Sequence, residues 1–168
     1  MLNKKTIYGL HALLHLARNP HQHIGASKIA EATSAPYKFL ESILQLLVNE
    51  GMLLSKAGRD GGYQLAESPD QITLADIARL LEGPIALLPC ASHRFYEPCD
   101  SCPDPATCGI QDALVLLRNQ AVSDMKQLSL TAFLQREADL QSGQRDMLRP
   151  TPYACLLYTS DAADEEDS

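Results

Sequence analysis

The five residues Gly58-Arg59-Asp60-Gly61-Gly62 constrain this chain more than any others. Three glycines in five positions supply the backbone conformations that a sharp reversal needs. On either side lie short segments of strand composition, Met52-Leu-Leu-Ser55 and Tyr63-Gln-Leu-Ala66, so the stretch reads as a β-hairpin with a glycine tip. What precedes it is helical. Pro36 fits the start of a helix, where its missing N–H is harmless. Phe39, Leu40, Ile43, Leu44, Leu46 and Leu47 give that helix a broad apolar face down to Asn49-Glu50-Gly51. Upstream, Ser27 can cap a short helix over residues 28–33 with Ile29 and Ala30 facing inward, and Ser34-Ala35-Pro36 makes a tight turn. Two short helices around a turn, followed directly by a hairpin, form a winged helix-turn-helix.

The rest of the chain fits around that unit. Apolar residues at 7, 10, 13, 14 and 16 follow helical spacing until Asn19-Pro20, which predicts a first helix over residues 7–17. Thr73 caps a helix over 74–81 that Gly83-Pro84 ends. A loop rich in Pro and Cys occupies 89–109, after which Ile110, Ala113, Leu114, Leu117, Ala121, Met125 and Leu128 form a long amphipathic stripe suited to pairing with its copy in a second subunit. A last short helix over 130–140 is expected to pack back on that long one. The fold class is therefore mainly α with a small β-hairpin: a winged helix-turn-helix plus a long C-terminal dimerisation helix. The expected divisions are a winged domain (1–83), a cysteine-rich loop (84–109), dimerisation helices (110–141) and a tail without stable structure (142–168). From about residue 152 the tail abandons the preceding pattern and resembles translated sequencing-adapter read-through, so neither it nor Cys155 is assigned a function.

Net charge is −7, which suits a nucleic-acid binder only once it is divided. Residues 1–66 hold seven Lys and Arg against four Asp and Glu, residues 67–151 hold seven against twelve, and residues 152–168 hold five acids and no base. A basic N-terminal part joined to an acidic remainder fits a nucleic-acid module with a second function attached. No apolar run approaches the roughly 18 residues a membrane span needs, and Met1-Leu-Asn-Lys-Lys5 does not lead into a secretory segment. A cytoplasmic location follows as an expectation, and with it metal or redox chemistry for the five cysteines rather than a disulfide scaffold.

In a helix-turn-helix the second helix lies in the major groove of double-stranded DNA, and its N-terminal, solvent-facing side chains reach the base edges. Here these are Tyr37, Lys38, Glu41, Ser42 and Gln45, with Ser27 and Lys28 beside them at the start of the preceding helix. Lys38 can meet phosphate or guanine, Glu41 a cytosine amino group and Gln45 an adenine. In the wing, Lys56 and Arg59 can reach phosphate or the minor groove, and Gly61 and Gly62 let backbone approach the duplex. The plainer alternatives are a solvated helix face and a hairpin that merely needs its glycines.

Taken together, Tyr8-Gly-Leu-His-Ala12, Leu40-Glu41, Gly51-Met-Leu-Leu-Ser55, Gly58-Arg-Asp-Gly-Gly-Tyr-Gln-Leu-Ala66 and Ile72-Thr-Leu-Ala-Asp-Ile77 resemble the IscR/NsrR/CymR family of bacterial regulators over about residues 1–135. The resemblance implies a homodimer, crossed through the long helix, on a near-palindromic operator. Glu41 matches the family's base-reading glutamate. Where many members place an arginine before the wing glycine, this chain has Ala57, with Lys56 beside it.

Cys90, Cys99, Cys102 and Cys108 form C-x8-C-x2-C-x5-C in a loop that also holds Pro89, Pro98, Pro103 and Pro105. Soft thiolates gathered on a loop with no core of its own suit an iron-sulfur cluster, or alternatively a tetrahedral zinc. A cofactor-free thiol switch through Cys99-x2-Cys102 is a third reading. By resemblance, the ligands common to iron-sulfur members fall on Cys90, Cys102 and Cys108. Cys99 is extra, and Gln111 stands where one branch has a ligating histidine. Cys99 is the preferred fourth ligand, ahead of His93 and of His11 or His15 from a partner's first helix.

Rival classes lack their signatures. There is no Gly-rich phosphate loop after a strand, no nucleophile elbow, no zinc-protease motif, and no βαβ setting for a thioredoxin-like C-x-x-C. An enzyme is not expected. A small redox protein would have no use for a basic winged domain, and a protein–protein adaptor would show no salt-dependent DNA affinity.

Overall fold

The computed structural model describes residues 2–102 and 104–144. Among these, the first helix, α1 (Lys4–Ala17), starts three residues earlier than the apolar spacing suggested. The reason is Asn3, whose side chain accepts from the amides of Lys5 (2.8 Å) and Thr6 (3.3 Å) and so sets the start. Next comes α2 (Ala26–Thr33), capped by Gly25 and not by Ser27 as expected. Ile24 is hydrogen-bonded to Tyr63 in both directions (3.0 and 2.9 Å), which fixes the extended backbone just before Gly25 and lets the helix begin at once. Ser34 turns the chain in a left-handed conformation, and α3 (Tyr37–Asn49) follows with Pro36 as its N-cap.

Leu40, Ile43, Leu44 and Leu47 form the buried seam of α3. Phe39, expected inside, is 40% exposed and meets the edge of Tyr8 instead, with ring centroids 5.9 Å apart. Gly51 ends the helix at φ +77°, with its amide on Val48 O and that of Met52 on Leu47 O. This paired closure needs a residue in the left-handed region, and glycine adopts it without steric cost. The chain passes directly into the hairpin of β1 (Leu53–Lys56) and β2 (Gly62–Leu65), antiparallel with Leu53 opposite Leu65 and Lys56 opposite Gly62. Thr73 and Asp76 then make a reciprocal capping box at the start of α4 (Leu74–Leu81).

These elements enclose one core in which Leu13, Ile29, Leu40, Ile43, Leu44, Leu47 and Ile77 are wholly buried. The approach of α1 to α4 is close: a Cβ at Gly9 would lie 2.6 Å from Leu81 Cδ1. Their ends are latched as well. Glu82, just past α4, accepts from Asn3 N, Asn3 Nδ2 and Thr6 Oγ1, each at 2.6 Å. A carboxylate at the N-terminus of α1 also complements the partial positive charge there.

After α4 the chain has little regular structure until α5 (Gly109–Gln127), apart from two single 3-10 turns, Pro89–Ala91 and Pro105–Thr107. No residue of α5 is fully buried. The helix α6 (Leu130–Gln141) departs from expectation in its first turn, which docks on the winged core. Leu130 is wholly buried there, its amide bonds to Ile72 O (3.0 Å), and Leu74 N bonds to Leu128 O (2.8 Å). The start of α6 thus completes the edge opened by Ile72 and Thr73.

The described residues fall into two units, with the boundary after Leu134. The second carries the remainder of α6, where Gln135 Nε2 bonds to Asp139 Oδ1 (2.8 Å). The tail from residue 145, Cys155 included, lies outside the described residues. No helix among the described residues is long and apolar enough to cross a membrane.

Candidate nucleic-acid interface and thiol site

One face of α3 is buried by the seam above, so the opposite face must meet solvent, and Tyr37, Lys38, Glu41, Ser42 and Gln45 are all exposed on it. Their side chains form short local bonds: Tyr37 Oη to Glu41 Oε1 (3.4 Å), Ser42 Oγ to Phe39 O (2.7 Å) and Gln45 Nε2 to Asn49 Oδ1 (3.0 Å). Bonds of this kind between exposed groups are worth little net, so they orient the side chains without committing them. Ser27 and Lys28 are exposed in the first turn of α2.

Sequence reading treated Tyr63 as ordinary hairpin residue, yet it joins these parts. It pairs with Ile24 immediately before α2. Burial first, then the nearby Glu41 carboxylate and Tyr37, hold its phenol above the usual tyrosine range. The base of the wing, the start of α2 and the first two turns of α3 therefore converge at Tyr63. A Gly-Gly-Tyr sequence in a hairpin was the available signal, but only the tertiary pairing gives it meaning.

Lys56 and Arg59 are exposed on the wing, as expected. Gly61 and Gly62 also meet a packing requirement, the plainer of the two expectations. A Cβ at Gly61 would lie 2.2 Å from Lys56 O, and one at Gly62, where φ is +146°, would lie 2.4 Å from the Ile24 carbonyl carbon. Gly61 is required by the packing of the hairpin tip, and Gly62 by the close approach of the segment before α2.

The second site is built on the N-terminus of α5. Cys108 caps that helix, its sulfur accepting from Gln111 N at 3.5 Å. Cys102 Sγ donates to Asp104 O at 3.6 Å, and interaction with the neighbouring Cys108 thiol, followed by burial, holds Cys102 above the usual thiol range. The Gln111 amide, followed by the Cys102 thiol, holds Cys108 below it. Cys99 lies within electrostatic reach of Cys102. All four cysteines line one cleft of about 440 Å³, with Leu88 and Tyr96 among the other walls.

The structure brings Cys102 and Cys108 into contact and leaves Cys90 and Cys99 on the cleft wall. Among the described residues, no three His, Cys, Asp or Glu side chains come together closely enough to hold one metal ion. The physical reason is plain: thiols attract one another only through weak S–H···S bonds, and this loop has no apolar core to close it. As a donor set the four soft thiols fit a cluster or zinc, and the cleft has the room, but the remaining approach depends on the group they would bind.

The apolar side chains of α5 divide between two faces. Leu114, Val115, Val122 and Met125 are half-buried, whereas Ile110 (70% exposed), Leu116 (63%) and Leu117 (58%) point to solvent. Part of the predicted stripe thus forms an uncovered apolar face.

Comparison with known proteins places this architecture. A regulator of Rhodobacter capsulatus, named as an Rrf2-like HTH-type transcriptional regulator, is 38% identical over 137 residues, covering 74% of this chain and 91% of its own. The structure of CymR, the global cysteine regulator of B. subtilis, superposes with a TM-score of 0.66 at 26% identity, over 81% of this chain and 97% of that one. T. potens IscR shares the fold with a TM-score of 0.64 at 21% identity, over 87% and 92%. The expected likeness to IscR and CymR and the winged fold are thereby shown, and the relatives are transcriptional regulators rather than enzymes. Residues 2–136 match the Rrf2 family, described as iron-dependent transcriptional regulators, and the chain belongs to that family.

Proposed function

We propose that this regulator is a cytoplasmic homodimer that binds a near-palindromic DNA operator, with an affinity set by an iron-sulfur cluster on the cysteine cleft. The observation that carries this reading is that the thiol cleft and the uncovered apolar face are both built on α5. Cys108 caps the helix whose outward Ile110 and Leu117 would meet their copies, so a change at the thiols acts directly on the pairing element.

On DNA, Lys38, Glu41 and Gln45 would read the major groove from α3, with Tyr37, Ser42, Ser27 and Lys28 at its edges. Lys56 and Arg59 would hold the backbone from the wing. Two recognition helices in a dimer must sit about one DNA turn, roughly 34 Å, apart. A small tilt of paired α5 helices alters that separation. The coupling needs to be only about 1–3 kcal/mol to change affinity from several-fold to a hundredfold.

Cys90, Cys102 and Cys108 would hold the cluster, with Cys99 as the fourth ligand. When bound, the cluster supplies a redox-sensitive tie among these thiolates. The chain contributes the low-pKa sulfur of Cys108, held by the Gln111 amide, and prolines that limit the loop's unfolded freedom. The family description as iron-dependent supports iron over zinc.

One observation favours a second reading, a cofactor-free thiol switch. Cys102 interacts with Cys108 strongly enough to shift both thiols in opposite directions, with Cys99 of the expected Cys99-x2-Cys102 pair also within its electrostatic reach. A small-molecule disulfide would oxidise these two thiols to one disulfide and leave as two thiols.

The test is anaerobic purification, an absorption spectrum with iron, sulfide and zinc analysis, and binding to a duplex enriched by the protein from a random pool, repeated on Cys102→Ala. Iron and sulfide near stoichiometry, a visible charge-transfer band lost in the variant, and different DNA affinities of filled and empty forms are the expected results. Zinc alone, or no metal, sinks the cluster reading. No salt-dependent affinity for any enriched duplex sinks the operator reading.

A further inference from the structure

Two side chains of α5 reach across to the segment that carries Cys90. Gln111 Nε2 donates to Cys90 O at 2.8 Å, and Arg118 Nη1 donates to Ala91 O at 3.0 Å. Positions 111 and 118 are seven apart and so lie on one helical face, about two turns from each other. Leu114 and Val115 between them are half-buried. Neither carbonyl belongs to a free strand end. They sit in the 3-10 turn Pro89–Ala91, and Ala91 is wholly buried. Gln111 also supplies, through its backbone, the N–H that meets Cys108 Sγ. One residue therefore touches the Cys90 peptide with its side chain and the Cys108 sulfur with its main chain.

We infer that Gln111 and Arg118 are positioning residues that fasten the Cys90 segment to α5, so that drawing Cys90 toward the other thiols moves the helix with it. The inference rests on the thiol-site reading above and deepens it by naming the mechanical link. Without the two bonds, Cys90 could close on the other three sulfurs by loop motion, and α5 would feel the change only at its first turn, through Cys108. The Gln111 side chain uses its amide nitrogen as a donor and offers no imidazole-like lone pair at this position, so its part is attachment rather than ligation. Arg118 makes the stronger of the two ties, since a guanidinium bond to a carbonyl is charge-assisted. Its planar group is held in turn by Asn119 Oδ1, at 3.2 Å from Nε and 2.6 Å from Nη2.

The experiment is hydrogen exchange, read by mass spectrometry on the full chain. It compares wild type, Gln111→Met, Arg118→Met and Arg118→Lys, first unloaded and then loaded anaerobically with ferrous iron and inorganic sulfide. Methionine keeps the length of each stem and removes the donor; lysine keeps a donor at 118. In unloaded protein the amides of residues 90–92 should exchange roughly five- to tenfold faster in each Met variant, the factor expected for one lost net hydrogen bond, and Arg118→Lys should restore most of the protection. On loading, protection should spread from residues 90–108 along α5 as far as Arg118 in wild type and stop at its first turn in the Met variants.

Unchanged exchange in both Met variants, or equal spread into α5 with and without the donors, overturns the inference. If wild type takes up no iron, the cluster reading has failed instead, and the unloaded comparison alone then judges the attachment. Unchanged circular dichroism in Gln111→Met and Arg118→Met separates loss of the bond from loss of fold.

Discussion

The winged part, residues 3–83, and the part from Pro84 to the end of α5 are built on opposite terms. In the first, Leu13, Ile29, Leu40, Ile43, Leu44, Leu47 and Ile77 disappear from solvent, and α1 and α4 are tied end to end through Glu82. In the second, α5 has no fully buried residue, Ile110, Leu116 and Leu117 stand in solvent, and the loop hangs on the buried Ala91 and a few hydrogen bonds. The winged part can hold its shape from its own apolar burial. The cysteine part cannot, so its shape is open to whatever binds the thiols and covers the helix. A rigid reader joined to an adjustable arm is the arrangement a regulator needs.

Truncations should separate the two parts most sharply. Leu44→Ala removes a wholly buried side chain and should cost about 2–5 kcal/mol. Leu117→Ala, at a 58% exposed position, should change the stability of the isolated subunit by no more than about 0.5 kcal/mol. Urea denaturation read by circular dichroism checks both. Equal costs, with no concentration dependence for wild type, would erase the contrast. Between these extremes lies Gly62→Ala, which places a Cβ against the Ile24 backbone at a positive φ and should cost about 1–3 kcal/mol. Its loss should appear in the wing, as faster amide exchange at Tyr63 and Ile24, and unchanged exchange there would show that the wing can shift to make room.

The same contrast explains what could be read from residues alone. Helices and hairpin of the winged part follow from local chemistry: apolar spacing in α3, the Thr73 cap, the glycine tip. Errors there were of one to three residues, at Asn3 and at Gly25, where a cap or a pairing partner lay outside the periodic stretch. Contacts between distant segments were not legible. Nothing local at Ile24 announces a bond to Tyr63, nothing at Leu130 announces burial beside Ile72, and nothing at Gly62 announces the close approach of the Ile24 backbone. In the cysteine part the spacing identified four soft donors, but which thiols meet depends on weak forces that spacing does not encode. Cys102 thus interacts with Cys108 more strongly than with Cys99, its neighbour in the C-x2-C spacing.

Acid should loosen the winged part through Glu82. Burial disfavours its charge, but donation from Thr6 and then Asn3 outweighs that and holds the carboxyl below the usual range. A depressed native value means the unfolded chain binds the proton more readily, so the contribution is present above the unfolded carboxylate value, about 4.3, and lost as pH falls through the native one. Wild type should therefore lose more stability than Glu82→Gln between neutral pH and about pH 3.5, by at most about 1 kcal/mol for a group this open to solvent. Parallel pH profiles from urea titrations would remove the latch from the account of the winged part.

The smallest effect concerns the cysteine part and tests the interaction between Cys102 and Cys108. In metal-free, reduced protein, Cys108 should react with iodoacetamide at neutral pH several-fold faster than Cys102, because the Gln111 amide and the Cys102 thiol favour its thiolate. The advantage is muted, since a thiolate of lower pKa is also a weaker nucleophile, with a Brønsted slope of about 0.4–0.5. The pH dependence is the cleaner readout: Cys108 should keep its reactivity to lower pH, and the rise for Cys102 should come late. Removing the donor in Cys102→Ala should move the Cys108 profile back toward an ordinary thiol, though not fully, because the Gln111 amide remains. Identical profiles for the two sulfurs would mean that Cys102 and Cys108 do not interact, leaving the loop with no preferred thiol pair and making the thiol switch the weaker of the two readings.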